Sequence, residues 1–202
     1  FEAPTPDRME IEMQDFINWF NQENSLDSIL KAAIAHLRFI TIHPFDDGNG
    51  RIARAITDMQ LSKSDGVNQR FYSMSSQINA EKKSYYTILE RTQKGNLDIT
   101  NWLKWFLECL KGAIIASNLI IDKVVRKHQF FVNNASKVTN KRQRLLLSKL
   151  LDGFEGNLTS SKYAKIAKTS PDTALRDIND LVEKGILLKA DSGGRSTNYL
   201  LN

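Results

Sequence analysis

The segment His43-Pro44-Phe45-Asp46-Asp47-Gly48-Asn49-Gly50-Arg51-Ile52-Ala53-Arg54 decides how this 202-residue chain is read. Gly48, Asn49 and Gly50 all tolerate positive φ, so the backbone can curl and turn successive N–H groups inward. Ile52 to Ile56 then reads as the first turns of a helix. A glycine turn feeding a helix N-terminus favours anions, because unpaired N–H groups and the helix dipole act together. Arg51 and Arg54, three apart, share a face of that helix, and two guanidinium forks suit a polyphosphate. Asp47 stands just before the turn, where a carboxylate can hold Mg²⁺ against phosphate oxygens. Pro44 disfavours helical geometry at His43, so the preceding helix should end there and present the imidazole at its mouth. A histidine in that place can act as general base toward a hydroxyl. No Gly-Lys-Ser/Thr follows the glycines, which excludes a P-loop.

Outward from this segment, helical periodicity dominates. Met9, Met13, Phe16, Ile17 and Phe20 trace one helix face, and Leu26, Ile29, Leu30, Ala33, Leu37 and Ile40 trace another, with Ser25 as its expected N-cap. His36 lies on this second helix and reads as structural. The motif helix is expected from Gly50 to Ser64, stopped by Asp65-Gly66. A segment opening at residues 70–78 leads to a helix from Ala80 to Lys94 that carries Tyr85 and Tyr86. Asp98-Ile99-Thr100 caps a long helix with Trp102, Leu103, Phe106, Leu110 and Ile114 as core. Cys109, the single cysteine, falls among these apolar residues and reads as a buried thiol. A bridging helix rich in Ile and Val ends at Asn133–Lys137, the expected domain boundary.

Beyond it come helices at Lys141–Leu151, Lys162–Ala167 and Asp172–Lys184. Two β-prone runs, Ile186–Lys189 and Thr197–Leu201, flank Asp191-Ser192-Gly193-Gly194-Arg195. Helix–turn–helix plus hairpin resembles a winged helix. Residues 138–202 carry eleven Lys/Arg and seven Asp/Glu. Ser170, Thr173, Arg176 and Asn179 face outward on the second helix and can read bases, yet Asp172, Asp177, Asp180 and Glu183 on that helix would repel phosphates. Winged helices also bind proteins and dimerise, so DNA and a second copy of the chain both stand as candidate partners.

The composition is that of a globular protein, with 41% hydrophobic and 25% charged residues. A net charge of +5 favours anionic partners without choosing among them. No apolar run approaches about 20 residues, which excludes a membrane-spanning helix. With one cysteine and no signal-like N-terminus, a cytoplasmic setting is expected.

The dodecamer, His-Pro-Phe-x-Asp-Gly-Asn-Gly-Arg-x-x-Arg, resembles the active-site motif of the Fic (Fido) family at every defined position. Ala35-His36-Leu37-Arg38-Phe39-Ile40-Thr41-Ile42 resembles the helix leading into it, and the similarity covers roughly residues 1–115. The resemblance implies a mainly α fold: a Fic-type helical bundle with its bridging helix over residues 1–132, followed by a winged helix-turn-helix domain over 138–202. It implies an adenylyltransferase that moves AMP from ATP to a Ser, Thr or Tyr hydroxyl of a protein target. His43 would then deprotonate the hydroxyl, and Asp47 would hold Mg²⁺ on the α- and β-phosphates. Asn49 with the Gly48 and Gly50 amides would cradle the phosphates. Arg51 would neutralise the leaving pyrophosphate, and Arg54 would grip the γ-phosphate. A tyrosine near Tyr85 or Tyr86 lines the nucleobase pocket in the family, and core packing is the competing role for both.

Family members often carry an inhibitory Ser/Thr-x-x-x-Glu-Gly/Asn motif, but no glutamate here has Ser or Thr four residues before it. Phe1-Glu2-Ala3-Pro4 resembles the segment after the target-docking flap. The expectation is therefore a fragment whose parent carries flap and inhibitory helix upstream. Two rivals stand: a winged-helix DNA-binding regulator whose Fic module senses nucleotide, and a Fic enzyme transferring another phosphate-containing group.

Overall fold

A computed structural model describes residues 3–22, 25–65, 70–190 and 197–202. The chain divides into two compact units, residues 1–118 and 119–202. The division falls inside one long helix rather than in the polar stretch that follows it.

The first unit is built around α2 (Ser28–Ile42), flanked by α1 (Pro6–Asn21), α3 (Asn49–Asp65), α4 (Met74–Ala80), α5 (Lys82–Lys94) and the first part of α6 (Thr100–Asn133). Pro6 starts α1, where its missing N–H costs nothing. Asp27, not Ser25, caps α2: its carboxylate accepts from the Ile29 and Leu30 amides. Leu26 therefore lies outside the helix it was expected to join. Ala32, Ala33 and Ala35 are fully buried along α2, as is Ala53 on α3. These small side chains let neighbouring helices approach closely, and the buried Trp102 of α6 donates its indole N–H to the Ala33 carbonyl at 2.9 Å.

Phe16, Phe20, Phe39, Tyr85, Trp102 and Phe106 form the aromatic part of the core. Cys109 is buried with them, and burial pushes its thiol up to about 12. Ile17 and Ile114, expected in the core, are 43% and 39% exposed. Each lies on the edge of its helix's apolar stripe, where periodicity alone does not say how wide a face is covered.

In the second unit, α7 (Lys141–Leu151), α8 (Ser160–Ala167) and α9 (Pro171–Glu183) enclose a core of Leu146, Leu147, Tyr163, Ile178 and Leu181. Phe130 and Phe131, from the last turns of α6, pack against it. Strands β1 (Leu187–Lys189) and β2 (Tyr199–Leu201) pair antiparallel, and Leu158 forms an isolated bridge to Tyr199. The expected wing tip, Asp191 to Arg195, and the helix stop at Gly66 lie outside the described residues. No described helix is long and apolar enough to cross a membrane.

Candidate active site

The motif connects α2 to α3. His43 caps α2 in the left-handed conformation (φ 53°, ψ 54°), and its N–H still donates to the Phe39 carbonyl. Left-handed backbone is uncommon outside glycine and costs energy that the surrounding structure must sustain. The following Pro44 removes the donor that would continue the helix. Among the exposed atoms here is the imidazole itself, whose Nδ1 lies 3.3 Å from the Ile40 carbonyl. A carbonyl only accepts, so Nδ1 is the donor in this contact, and in the neutral ring that leaves the lone pair on Nε2.

Gly48 opens α3. Its φ of +87° favours glycine, and its carbonyl accepts from the Arg51 and Ile52 amides. The amides of Asn49 and Gly50 sit in the first turn, where no intrahelical acceptor exists. Both arginines fold back over this turn. A methyl group built at Gly48 would meet the Arg51 guanidinium at 3.6 Å, and one at Gly50 would meet Arg54 Nη1 at 3.4 Å. Anion-seeking amides and two cations thus converge on one helix end.

Asn49 takes a different part from the one expected. Its side chain is buried, with Oδ1 accepting from the Phe45 amide at 3.1 Å and Nδ2 donating to the Phe45 carbonyl. Both polar atoms are engaged in pinning the loop across four residues.

Asp47 pairs with Arg51, Nη2 to Oδ2 at 2.9 Å. Among the described residues no three His, Cys, Asp or Glu side chains gather to hold a metal by themselves. One solvent-exposed carboxylate, held only by this surface pair and beside an anion site, fits Mg²⁺, which commonly takes one or two carboxylates and completes its shell with phosphate oxygens and water.

Arg54 lines a cavity of about 350 Å³ with Ser75, Asn79, Lys82, Tyr85 and Tyr86. The two tyrosines part company here. Tyr85 is buried, and its hydroxyl is 3.0 Å from His36 Nε2; Tyr86 is 56% exposed, its ring meeting the Tyr85 ring edge-on. Tyr86 alone of the pair offers a ring face for stacking. Lys82, Ser75 and Asn79 were not singled out from the sequence. Lys82 precedes Tyr85 and Tyr86 by three and four residues, a spacing that shares a face, and this was the available signal.

Behind the cavity His36 is fully buried, Nδ1 2.9 Å from Thr57 Oγ1. The Thr57 hydroxyl donates to the Ala53 carbonyl at 2.9 Å, so it accepts from His36 Nδ1–H, and His36 Nε2 in turn accepts from Tyr85. Burial, aided by the Arg54 charge, holds His36 down at about 3, and burial pushes the Tyr85 hydroxyl up to about 12. Both groups are neutral at physiological pH. A separate cleft of about 300 Å³ between Arg38, Thr92 and Leu97 shares none of these groups.

In the second unit, Ser170 caps α9 by accepting from the Thr173 amide and donating to its hydroxyl at 2.9 Å. Arg176 and Asn179 are exposed. The acidic residues expected to repel phosphate do not all face outward. Asp177 is buried and accepts from Arg142, Asn140 and Tyr163. Burial raises its carboxyl, but these donors outweigh that and leave it below the usual carboxylate range. Asp180 pairs with Lys184 and Gln143. Only Asp172 and Glu183 of the four are exposed.

Residues 1–61 match the Fic/DOC family. Protein adenylyltransferase fic-1 of Caenorhabditis elegans is 38% identical over 66 residues, which is 32% of this chain and 13% of that protein. Protein adenylyltransferase Fic of Drosophila mojavensis is 32% identical over 113 residues, 55% of this chain and 21% of that protein. A probable protein adenylyltransferase of Aquifex aeolicus is 29% identical over 98 residues, 47% of this chain and 31% of that protein. The matches thus span less than a third of these relatives' own lengths. The crystal structure of a Fic family protein from Desulfovibrio desulfuricans G20 aligns over 99% of this chain and 57% of that one, with a TM-score of 0.52 and 21% identity, a likeness of fold. The family likeness therefore rests on residues 1–61, which hold the whole 43–54 motif, and the solved structure adds a likeness of fold.

Proposed function

We propose that this chain is a protein adenylyltransferase that moves AMP from ATP to a Ser, Thr or Tyr hydroxyl of a protein target. The observation that carries the reading is the 3.3 Å contact of His43 Nδ1 with the Ile40 carbonyl, which in the neutral ring leaves Nε2 to act as a base at the loop leading into α3. A nucleotide sensor needs the anion site but has no use for the base.

In this reading the target hydroxyl gives its proton to His43 Nε2 and its oxygen attacks the α-phosphorus. The bond from that phosphorus to the bridging oxygen breaks, and pyrophosphate leaves. The Asn49 and Gly50 amides, Arg51 and Arg54 hold the charge that gathers on the departing phosphates. Gly48 supplies the turn, and Asn49 fixes it through Phe45. Asp47 would hold Mg²⁺, which supplies charge neutralisation at the phosphates. Tyr86 would stack on the base. Among the described residues no carboxylate pairs with Arg54, which leaves it available to a γ-phosphate.

The second unit is read as a winged helix. Asp177, turned inward, and Asp180, paired with Lys184 and Gln143, leave Arg176, Asn179, Ser170 and Thr173 less opposed by acid than the sequence implied, which favours DNA among its partners. A homodimer and a cytoplasmic setting belong to the same proposal, the latter supported by the single buried cysteine.

The test uses ATP labelled at either the α- or the γ-phosphate, with Mg²⁺ and a cell lysate as the source of targets. Protein label from the α position alone is expected. Label from γ would indicate a kinase, and label from neither would favour the sensor.

A further inference from the structure

We propose that His36 is a positioning residue: its two ring nitrogens brace α3 against α5, and the brace keeps Arg54 and Tyr86 on the walls of one cavity. The inference rests on the reading of that cavity as the nucleotide site. Thr57 and Arg54 are three apart on α3, so fixing the Thr57 hydroxyl fixes the rotation of the helix that aims Arg54. Tyr85 and Tyr86 are adjacent on α5, so holding Tyr85 inward sends Tyr86 outward to the cavity. Every proton in the chain has one direction: Tyr85 hydroxyl to His36 Nε2, His36 Nδ1–H to Thr57, Thr57 hydroxyl to the Ala53 carbonyl. An apolar side chain would fill the same buried volume and lose all of this directionality. The nearby Arg54 charge and the burial both keep the ring in the neutral form the chain requires.

The test measures the affinity for ATP with Mg²⁺ by calorimetry, with the thermal midpoint in parallel, for wild type, His36→Leu, His36→Gln, Tyr85→Phe, Arg54→Ala and the double variant His36→Leu/Arg54→Ala. The brace predicts that His36→Leu raises Kd about tenfold and Tyr85→Phe about threefold, as expected when the support behind a site is loosened. His36→Gln, with one amide donor and one carbonyl acceptor, should return to within about twofold of wild type. Arg54→Ala should cost less affinity in the His36→Leu background than in wild type, because the two act through one geometry. Unchanged Kd in His36→Leu and Tyr85→Phe, with a lowered midpoint, would make His36 a core filler and overturn the proposal. If His36→Leu does not fold, Tyr85→Phe, which removes one hydroxyl, decides by the same criterion. A wild type that binds no ATP, indistinguishable from Arg54→Ala, would overturn the nucleotide reading itself and the brace with it.

Discussion

Asp47 and Arg51 satisfy each other across 2.9 Å, and both are largely in solvent, at 90% and 72% side-chain exposure. Two groups assigned to a metal and a phosphate therefore neutralise one another in the structure. An exposed pair one helical turn apart contributes no more than about 0.5 kcal/mol, so a ligand carrying both Mg²⁺ and phosphate can replace it readily. Asp47→Asn should shift the thermal midpoint little, yet raise the Mg²⁺ concentration needed for half-maximal AMP transfer by about tenfold. A Mg²⁺ titration of the variant checks this, and an unchanged midpoint of that titration would remove Asp47 from the metal site.

Gly48 and Gly50 should respond differently to a methyl group. At Gly48 the obstacle is backbone conformation, since φ is +87° while the nearest atoms stand at ordinary contact distance. Gly48→Ala should cost about 1–2 kcal/mol, or about 2–8 °C for a protein of this size. Gly50 is helical, where alanine is the better helix former, and its nearest neighbour is the movable tip of Arg54. Gly50→Ala should therefore leave the midpoint within about 2 °C of wild type, as thermal unfolding followed by circular dichroism would show.

Stability of the first unit should fall with acid because of His36. Its folded value of about 3 lies below the ordinary histidine value of 6.5. Above pH 6.5 the ring is neutral in both states and contributes no slope. Between 6.5 and 3 the unfolded chain takes up a proton that the folded chain refuses, so stability declines as pH falls, by up to about 1.4 kcal/mol per pH unit. All three tryptophans, Trp19, Trp102 and Trp105, lie in this unit, so their fluorescence in urea titrations reports it alone. From pH 7 to pH 5, wild type should lose about 2 kcal/mol more than His36→Gln. Parallel losses in the two proteins would contradict the assignment.

Asp177 should anchor the second unit. Removing its carboxylate strands the donors of Arg142, Asn140 and Tyr163, at a cost of about 2–4 kcal/mol. Its folded pKa is lowered, so its contribution is present above the unfolded carboxylate value and lost as pH falls through the folded one. Asp177→Ala should accelerate amide exchange in α7, α8 and α9 while leaving the tryptophan-detected transition of the first unit in place. Hydrogen exchange read segment by segment distinguishes this from a uniform effect.

The residues themselves show why some of this was legible in the sequence. The 43–54 motif was readable because its constraints are local: a proline that ends a helix, glycines that permit a turn, arginines three apart. The long helix and the cluster of Trp102, Phe106 and Cys109 followed from periodicity. Ser25 and Asp27 are both competent caps two residues apart, and the choice between them depends on where α2 meets its neighbours. Tyr85 and Tyr86 are chemically identical neighbours, and burial by His36 and Trp102 separates them. Asp177 reads as a solvated acid on a polar helix until Arg142 and Tyr163, 35 and 14 residues away, are brought to it. Each of these depends on tertiary contacts that spacing along one helix does not encode.

In the proposed mechanism the motif both binds a nucleotide and acts on it, with His43 responsible for the second step alone. The direct measurement compares ATP affinity with the rate of AMP transfer in His43→Ala. His43→Ala should keep a Kd within about twofold of wild type and transfer AMP about 10²–10⁴-fold more slowly. A rate that stays near wild type, or that falls only in proportion to lost affinity, would contradict this mechanism.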